Sequence, residues 1–138
     1  MTATTIVIEY ADFLNGFDWD FFCTFSTRYE LSMKSARRAM ERLHSHLTTH
    51  YGKVKLFFVA EPFDVKNGYH THALVQFAEP TARSLKSILR QAWQIVSGGI
   101  GGKGNNHTIL KKYDKDRGAN YYVSKYMLKN NSDYDFLI

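Results

Sequence analysis

A closely spaced histidine pair between two apolar segments suggests a metal site. His70 and His72 are one residue apart, and Glu61 precedes His70 by nine residues. The apolar segments, residues 56–60 and 73–77, flank a loop rich in Pro, Asp, Asn and Gly, which predicts two antiparallel strands. Because alternate strand residues point to one face, both imidazoles would converge, and a Glu on the neighbouring strand could join them. The pattern predicts a divalent metal site.

The type of ligand narrows the choice of metal. Two imidazole nitrogens and one carboxylate suit Mn²⁺ or Mg²⁺ as the working ion, although such a site can also hold Zn²⁺ or Co²⁺. Asp64, in the loop between the two strands, is the alternative carboxylate if Glu61 points away.

A second His-x-His, at His44 and His46, tests how much the motif means by itself. It falls in a helical pattern, where residues two apart point to nearly opposite sides and cannot chelate one ion. His46 and His50 have the helical spacing of four residues that can bind zinc, but without an acidic partner nearby in sequence they are interpreted as a solvated surface pair.

Length and composition set limits on the kind of protein. The 138 residues predict a single domain, residues 1–138, with no room for an additional helicase domain. A net charge of +5 with 15% aromatic residues suits a protein that contacts phosphates and unstacked bases. The single cysteine, Cys23, excludes an internal disulfide framework. Without a signal peptide or an apolar run long enough to span a membrane, a soluble cytoplasmic protein is expected.

The first half of the chain predicts strands around one helix. Weak alternation predicts a strand over residues 4–10, followed by a loop over 12–20 and a short aromatic strand over 21–26. Residues 32–52 predict an amphipathic helix, whose basic face is either solvated or in contact with DNA. Its apolar stripe is Ala36, Met40, Leu43 and Leu47, and its basic residues are Lys34, Arg37, Arg38 and Arg42.

The second half predicts two more helices. One begins at Pro80 and Thr81, and residues 97–106 then form a glycine-rich loop that lacks the spacing of a phosphate-binding P-loop. This loop is either a flexible turn or a segment that closes on a nucleic-acid strand through Lys103. Residues 107–113 predict a strand and residues 114–130 a helix capped by Asp114 or Asp116. The stripe of the first of these helices is Leu85, Ile88, Leu89, Ala92, Ile95 and Val96.

The last predicted helix presents a second group of chemically useful side chains. Tyr122 and Tyr126 are four residues apart, as are Lys125 and Lys129, so all four lie within about one third of the helix circumference. They are interpreted either as groups aimed at a substrate or as amphipathic residues at the rim of the core. Tyr121 projects to the other side of the helix.

Taken together, three motifs resemble those of a known family. The motifs are FCTFST at residues 22–27, Glu61-Pro62 with His70-Thr71-His72, and the doubled Tyr-x-x-Lys from Tyr122 to Lys129. In this order they resemble the HUH-type rolling-circle replication initiators, in particular the two-tyrosine kind found in gene A proteins of small single-stranded DNA phages and in plasmid and viral Rep proteins. The resemblance covers most of the chain from Phe21 to Lys129. One departure is Thr71, where the family has a bulky hydrophobic residue.

The resemblance implies both a fold and a reaction. The fold is an α+β domain with a central antiparallel sheet of about five strands, a ferredoxin- or RRM-like palm flanked by helices. The reaction is metal-dependent nicking of single-stranded DNA at a replication origin, which leaves a 5′-phosphotyrosine and a free 3′-hydroxyl, followed by rejoining. Tyr122 and Tyr126 would be the nucleophiles, Lys125 and Lys129 would assist them, and Glu61, His70 and His72 would bind Mn²⁺ or Mg²⁺.

The implied partners are those of a small replicon. They are single-stranded origin DNA together with a host or replicon helicase and polymerase, in a prokaryotic cell and with a plasmid or virus as the source of the gene. Two alternatives remain open, namely an HUH transposase or relaxase and a non-catalytic module that binds single-stranded nucleic acid. A two-histidine phosphoesterase is disfavoured because its paired His-x-Ser/Thr motifs are missing.

Overall fold

The chain folds into a five-stranded antiparallel sheet with helices packed on it. The computed structural model describes residues 3–98, 106–118 and 131–138. In chain order the elements are α1 (Ala3–Leu14), β1 (Phe21–Phe25), α2 (Met33–Tyr51), β2 (Val54–Pro62), β3 (Tyr69–Phe77), α3 (Leu85–Ser97), β4 (Thr108–Lys112), a single 3₁₀ turn (Lys115–Arg117) and β5 (Asp133–Leu137). None of the helices described is long and apolar enough to cross a membrane.

The strand order identifies the architecture. The sheet runs β4-β1-β3-β2-β5, and each pair of neighbours is antiparallel. The unit β1-α2-β2-β3-α3-β4 is therefore a ferredoxin-like split β-α-β arrangement, to which β5 adds a strand at the β2 edge. The predicted α+β class, the five-stranded antiparallel sheet and its ferredoxin- or RRM-like palm are confirmed.

The longest strand pair is the one that carries the histidines. β2 and β3 pair over their full length, from Val54 opposite Phe77 to Pro62 opposite Tyr69. Both strands are longer than the apolar segments that predicted them, because Glu61 and the histidines continue the ladder. Gly68, just before β3, has a φ of 100°, a conformation that a side chain would strain.

Helices α2 and α3 cover one face of the sheet. Ser32 caps α2 by accepting a hydrogen bond from the Ser35 backbone N–H, and the predicted stripe of Ala36, Met40, Leu43 and Leu47 is fully buried. Helix α3 begins at Leu85 with Ser84 as its cap rather than at Pro80. Its buried stripe includes Trp93, which replaces the predicted Ile95; Ile95 is 38% exposed.

The predicted strand over residues 4–10 is wrong, because this segment belongs to α1. Its β-branched residues favour strands, but that preference depends on the surroundings. Ala11 and Leu14, three residues apart, are fully buried as one side of a helix, whereas Ile8 is 43% exposed. The Trp19 indole N–H donates to the Leu14 carbonyl at 2.7 Å, which satisfies a carbonyl at the end of α1.

The sheet face opposite α2 and α3 has its own smaller core. Leu14 and Trp19 pack there against the strand residues Phe57, Val59 and Leu74. Rings of Phe17, Trp19 and Phe136 lie within 5.2 to 5.9 Å of one another, so α1 and the loop after it cover part of this face.

The predicted helix over residues 114–130 does not begin as predicted. Asp114 does act as a cap, but of a single 3₁₀ turn at Lys115–Arg117, which ends at Gly118 with a φ of 75°. The remaining residues, 119–130, lie outside the part of the chain that the structure describes.

Arg37 attaches the edge strand β5 to α2. Its Nε and Nη2 donate to the two carboxylate oxygens of Asp133 at 2.7 and 2.8 Å, and its Nη1 donates to Asp135 at 2.8 Å. These hydrogen bonds raise the pKa of the guanidinium. A bidentate arginine–carboxylate pair is stronger than a simple surface ion pair, so it compensates for the shortness of β5.

We expect Arg37→Met to lower the free energy of unfolding by about 1–2 kcal/mol, because two neighbouring carboxylates lose their shared partner. Urea unfolding of the whole chain, followed by tryptophan fluorescence, measures the change. Arg38→Met is the matched control: Arg38 is the next residue of the same helix but is exposed, and its loss should cost less than about 0.5 kcal/mol. Equal losses in the two variants would contradict the assigned role of Arg37.

Candidate metal centre

Three side chains on the two longest strands converge on one point. Glu61 on β2 lies directly opposite His70 on β3, and His72 is two residues further along the same face. Glu61 Oε1 is 2.9 Å from the Nε2 atom of each histidine, and the two Nε2 atoms are 3.1 Å apart. Adjacent ligand atoms around an ion with bonds of about 2.1 Å are separated by roughly 3 Å at right angles. The triangle therefore matches three neighbouring ligands of one divalent cation.

Burial keeps both imidazoles in the form that binds metals. Burial lowers the pKa of His72 to about 4. It also lowers the pKa of His70, with a smaller contribution from the neighbouring His72. At neutral pH both rings are uncharged, so no imidazolium proton has to be displaced before a metal binds. Glu61 is only 5% exposed, and a cation bound here would compensate its buried charge. The group can hold a metal ion.

A residue on the neighbouring strand orients His72. Thr24 on β1 lies opposite His72, and its Oγ1 is 3.1 Å from His72 Nδ1. When His72 ligates through Nε2, its proton is on Nδ1, and the threonine oxygen can accept it. Such contacts fix both the tautomer and the ring orientation of a ligand.

His70 is oriented in a different way. Its Nδ1 is buried and has no hydrogen-bond partner in the described part of the chain. Instead the Phe63 ring stacks on the imidazole, with centroids 4.4 Å apart and an interplanar angle of 27°. Lys66 lies over the same phenyl ring, with its Nζ 4.3 Å from the centroid. The start of the β2–β3 loop thus fixes the His70 ring by packing.

Thr71, between the two histidines, faces away from them. It lies opposite Ala60 and Phe25, both of which belong to the core under α2 and α3, and it is fully buried. This agrees with the expectation that the threonine, unusual among the resembling proteins, does not touch the metal.

The remaining histidine and acidic candidates do not join the site. Asp64 is exposed, and since Glu61 points inward no alternative ligand is needed. His44 Nε2 lies 2.8 Å from the Val54 carbonyl, and His46 contacts His50 with ring centroids 4.5 Å apart. Within residues 3–98, 106–118 and 131–138, the one cluster of three or more metal-binding side chains is Glu61, His70 and His72.

The predicted nucleophiles lie outside the described residues. Tyr122, Tyr126, Lys125 and Lys129, with Tyr121, fall in residues 119–130, and Lys103 falls in residues 99–105. The chain is described again from Asn131, and it enters β5 at Asp133, which pairs with Ala60 next to Glu61. The segment with the tyrosines therefore ends at the same edge of the site as Glu61.

Two supporting residues were not predicted from the sequence. The period-two alternation of β1 places Thr24 on the same face as Phe22, which contacts His72, so the strand pattern carried a usable signal. Phe63 had no such signal, because its stacking on His70 depends on the path of the loop after β2.

Comparison with known proteins gives the family. The family model for the replication-associated protein ORF2 matches residues 20–131, which include β1 to β4 and all three potential ligands. The chain belongs to this family. It is therefore a replication-associated protein, and its sheet brings a carboxylate and two imidazoles together at one point.

A solved structure shares the fold. The hypothetical protein ORF119 from Sulfolobus islandicus rod-shaped virus 1 is 18% identical, with a TM-score of 0.54 over 88% of this chain and 90% of the viral protein. At this identity the likeness shows a common fold alone. No curated protein matches the sequence.

We expect Mn²⁺ to raise the melting temperature of the wild-type protein, because an ion that binds only the folded state stabilises it by about 2.7 kcal/mol at a hundred times its Kd. Glu61→Gln and His70→Ala should abolish this rise, whereas His46→Ala, which changes a histidine on α2, should retain it. Thermal unfolding with EDTA or Mn²⁺ measures the effect. A rise that persists in both site variants would exclude the Glu61–His70–His72 site.

We also expect Thr24→Val and Phe63→Leu to weaken Mn²⁺ binding about tenfold or more without removing a ligand, because each releases the orientation of one imidazole. Isothermal titration calorimetry gives the Kd. Ile109→Leu, a change at an exposed position opposite Thr24 on β4, is the matched control and should bind like wild type. Unchanged affinity in both variants would show that the two histidines are oriented by other contacts.

Proposed function

We propose that the protein is an HUH-type endonuclease of the two-tyrosine kind, which nicks and rejoins single-stranded DNA at a replication origin. The observation that carries the proposal is the triangle formed by Glu61 Oε1, His70 Nε2 and His72 Nε2, with edges of 2.9, 2.9 and 3.1 Å. It occurs in a replication-associated family, where a phosphodiester is the natural substrate for a metal site.

Phosphoryl transfer to a phenol needs positive charge. A phenol has an ordinary pKa near 10, and a phosphodiester is anionic, so both reactants resist the reaction. A divalent cation held by Glu61, His70 and His72 would supply Lewis-acid chemistry at the scissile phosphate, Mn²⁺ or Mg²⁺ being the ions in use. Lys125 and Lys129 would lower the pKa of the phenol or neutralise charge that develops on the phosphate.

The proposed step exchanges one phosphate ester for another. The phenol oxygen of Tyr122 or Tyr126 forms a bond to phosphorus as its proton leaves, and the bond from phosphorus to the 3′-oxygen breaks. The 3′-oxygen takes up a proton and becomes a free hydroxyl that can prime synthesis. The new 5′-phosphotyrosine retains the energy of the broken ester, so the reverse attack by a 3′-hydroxyl rejoins a strand without a cofactor.

Two tyrosines would allow the cycle to continue. While one phenol holds the 5′ end, the other can cleave the origin regenerated after one round, and the released strand can then be joined. Covalent geometry supports their placement, since Tyr126 precedes Asp133 by seven residues. Seven residues span at most about 25 Å, and Asp133 pairs with the residue next to Glu61.

Membership in the replication-associated family favours an initiator over a transposase or relaxase. The proposed partners are origin DNA and a helicase and polymerase of the host or replicon. A plasmid or virus as the source of the gene is in keeping with the viral origin of ORF119.

The experiment incubates the protein with Mn²⁺ and single-stranded oligonucleotides from its own replicon, and scores a protein–DNA adduct that survives denaturing gel electrophoresis. We expect the adduct in wild type, a loss of at least a hundredfold in His70→Ala or with EDTA, and complete loss in the double variant Tyr122→Phe, Tyr126→Phe.

Tyr121→Phe is the matched control, because it removes a neighbouring phenol and should leave the adduct intact. An adduct in the double variant would overturn the assignment of the nucleophiles. Binding without any cleavage, unaffected by EDTA and by His70→Ala, would instead identify a non-catalytic single-strand-binding module.

A further inference from the structure

A polar groove lies away from the metal centre, between α3 and the start of β4. It has a volume of about 650 Å³, and two arginines, Arg83 and Arg90, line it together with His107 and hydroxyl and amide side chains. Among the described residues no carboxylate lines the groove. A concave surface with arginines, amides and hydroxyls but no acidic group is complementary to an anion.

Hydrogen bonds hold the floor of the groove in place. The backbone N–H of Asn106 donates to Gln94 Oε1 at 3.1 Å, and Gln94 Nε2 donates to the Asn106 carbonyl at 2.7 Å. The Asn106 side chain donates to Ser97 Oγ at 2.7 Å and accepts from the Arg28 backbone N–H at 3.1 Å. Since Asn106 is only 5% exposed, α3 and the approach to β4 are locked together before any ligand binds.

The two arginines are available for an external anion. Arg83 and Arg90 are exposed, and neither forms an ion pair with a described carboxylate. Arg83 Nη1 donates to Gln91 Oε1 at 2.6 Å, which holds the side chain at the groove and leaves its other N–H groups unused by that contact. Arg37, by contrast, is committed to Asp133 and Asp135.

The sheet register places the groove at the same end of the sheet as the metal centre. Thr108, at the groove, pairs with Phe25, which pairs with Thr71, the residue between the two histidines. Two strand spacings separate Thr108 from Thr71, a distance of about 10 Å. The groove lies beside α3, which packs on the other face of the sheet, so a strand that leaves the metal centre reaches the groove by passing around the β4 edge.

We infer that this groove binds the phosphodiester backbone of the DNA strand that flanks the segment held at the metal centre. The choice of DNA rests on the proposed function. Arg83 and Arg90 contact phosphates, the amide and hydroxyl groups add neutral hydrogen bonds, and the bases are not read. The groove therefore adds affinity and direction to the strand without adding sequence specificity.

Binding is measured in EDTA, so that cleavage plays no part. The probe is a fluorescein-labelled oligothymidine of about twenty nucleotides, read by fluorescence anisotropy between about 50 and 200 mM salt. We expect the double variant Arg83→Gln, Arg90→Gln to raise Kd about tenfold at the lower salt concentration. The slope of log Kd against log salt should fall by about 1.4, which corresponds to two lost phosphate contacts on a single strand.

The double variant Arg38→Gln, Arg42→Gln is the matched control. It removes the same charge from exposed arginines four residues apart on α2, and its Kd and salt slope should stay within about twofold of wild type. Equal losses in the two double variants would mean that net charge alone matters, and a larger loss in the α2 variant would place the DNA on α2. Either result overturns the groove.

The adduct assay separates this inference from the proposed nicking activity. With Mn²⁺, the groove variant should form the adduct at the wild-type rate when the oligonucleotide is saturating and more slowly when it is dilute. If the wild type binds but forms no adduct, the nicking proposal is wrong, while the EDTA titrations still decide the groove. If adducts form and the groove variant binds like wild type, the groove is wrong and the nicking proposal stands.

Discussion

The antiparallel pairing of β2 with β3 is the constraint on which the site depends. Glu61 and His70 are paired residues of this ladder, and His72 follows two positions later on the same face. A register shift of one residue would turn one strand's ligands to the opposite face and separate the carboxylate from the imidazoles. The ladder resists such a shift because its residues are buried on both faces: Leu56 and Phe58 face the larger core, and Phe57 and Val59 face the smaller one.

The same two-sided burial sets the chemistry of the ligands. Leu74 and Val59 continue the face of the histidines into the smaller core, so the site lies at the end of an apolar surface rather than in open solvent. Burial there keeps His72 neutral, and a neutral ring can offer Nε2 to a metal while Thr24 interacts with its other nitrogen. Helix α1 contributes indirectly, since Leu14 and Trp19 complete the cover of that smaller core.

The sequence predicted those features that depend on local periodicity. The strands around His70 and His72 and the buried stripe of α2 repeat at two and at about 3.6 residues, and both patterns were readable. Features that depend on distant contacts were not. Helix α1 looked like a strand because its β-branched residues are outweighed by the packing of Ala11 and Leu14. The strand β5 is short and acidic, and the arginine that compensates its charge precedes it by 96 residues.

The sheet also explains how separate parts of the chain come to serve one site. Asn106 and Thr108 precede or begin one edge strand, β4, and Asp133 begins the other, β5; both lie at the end of the sheet that carries Glu61 and the histidines. Each edge is fastened by its own polar contacts, Asn106 with Gln94 and Ser97 on α3 and Asp133 with Arg37 on α2. The metal centre, the groove and the point where the tyrosine-bearing segment ends are therefore positioned by strand register rather than by free loops. Phosphoryl transfer depends mainly on positioning and electrostatic stabilisation, and a register fixed by two cores supplies that positioning before the substrate arrives.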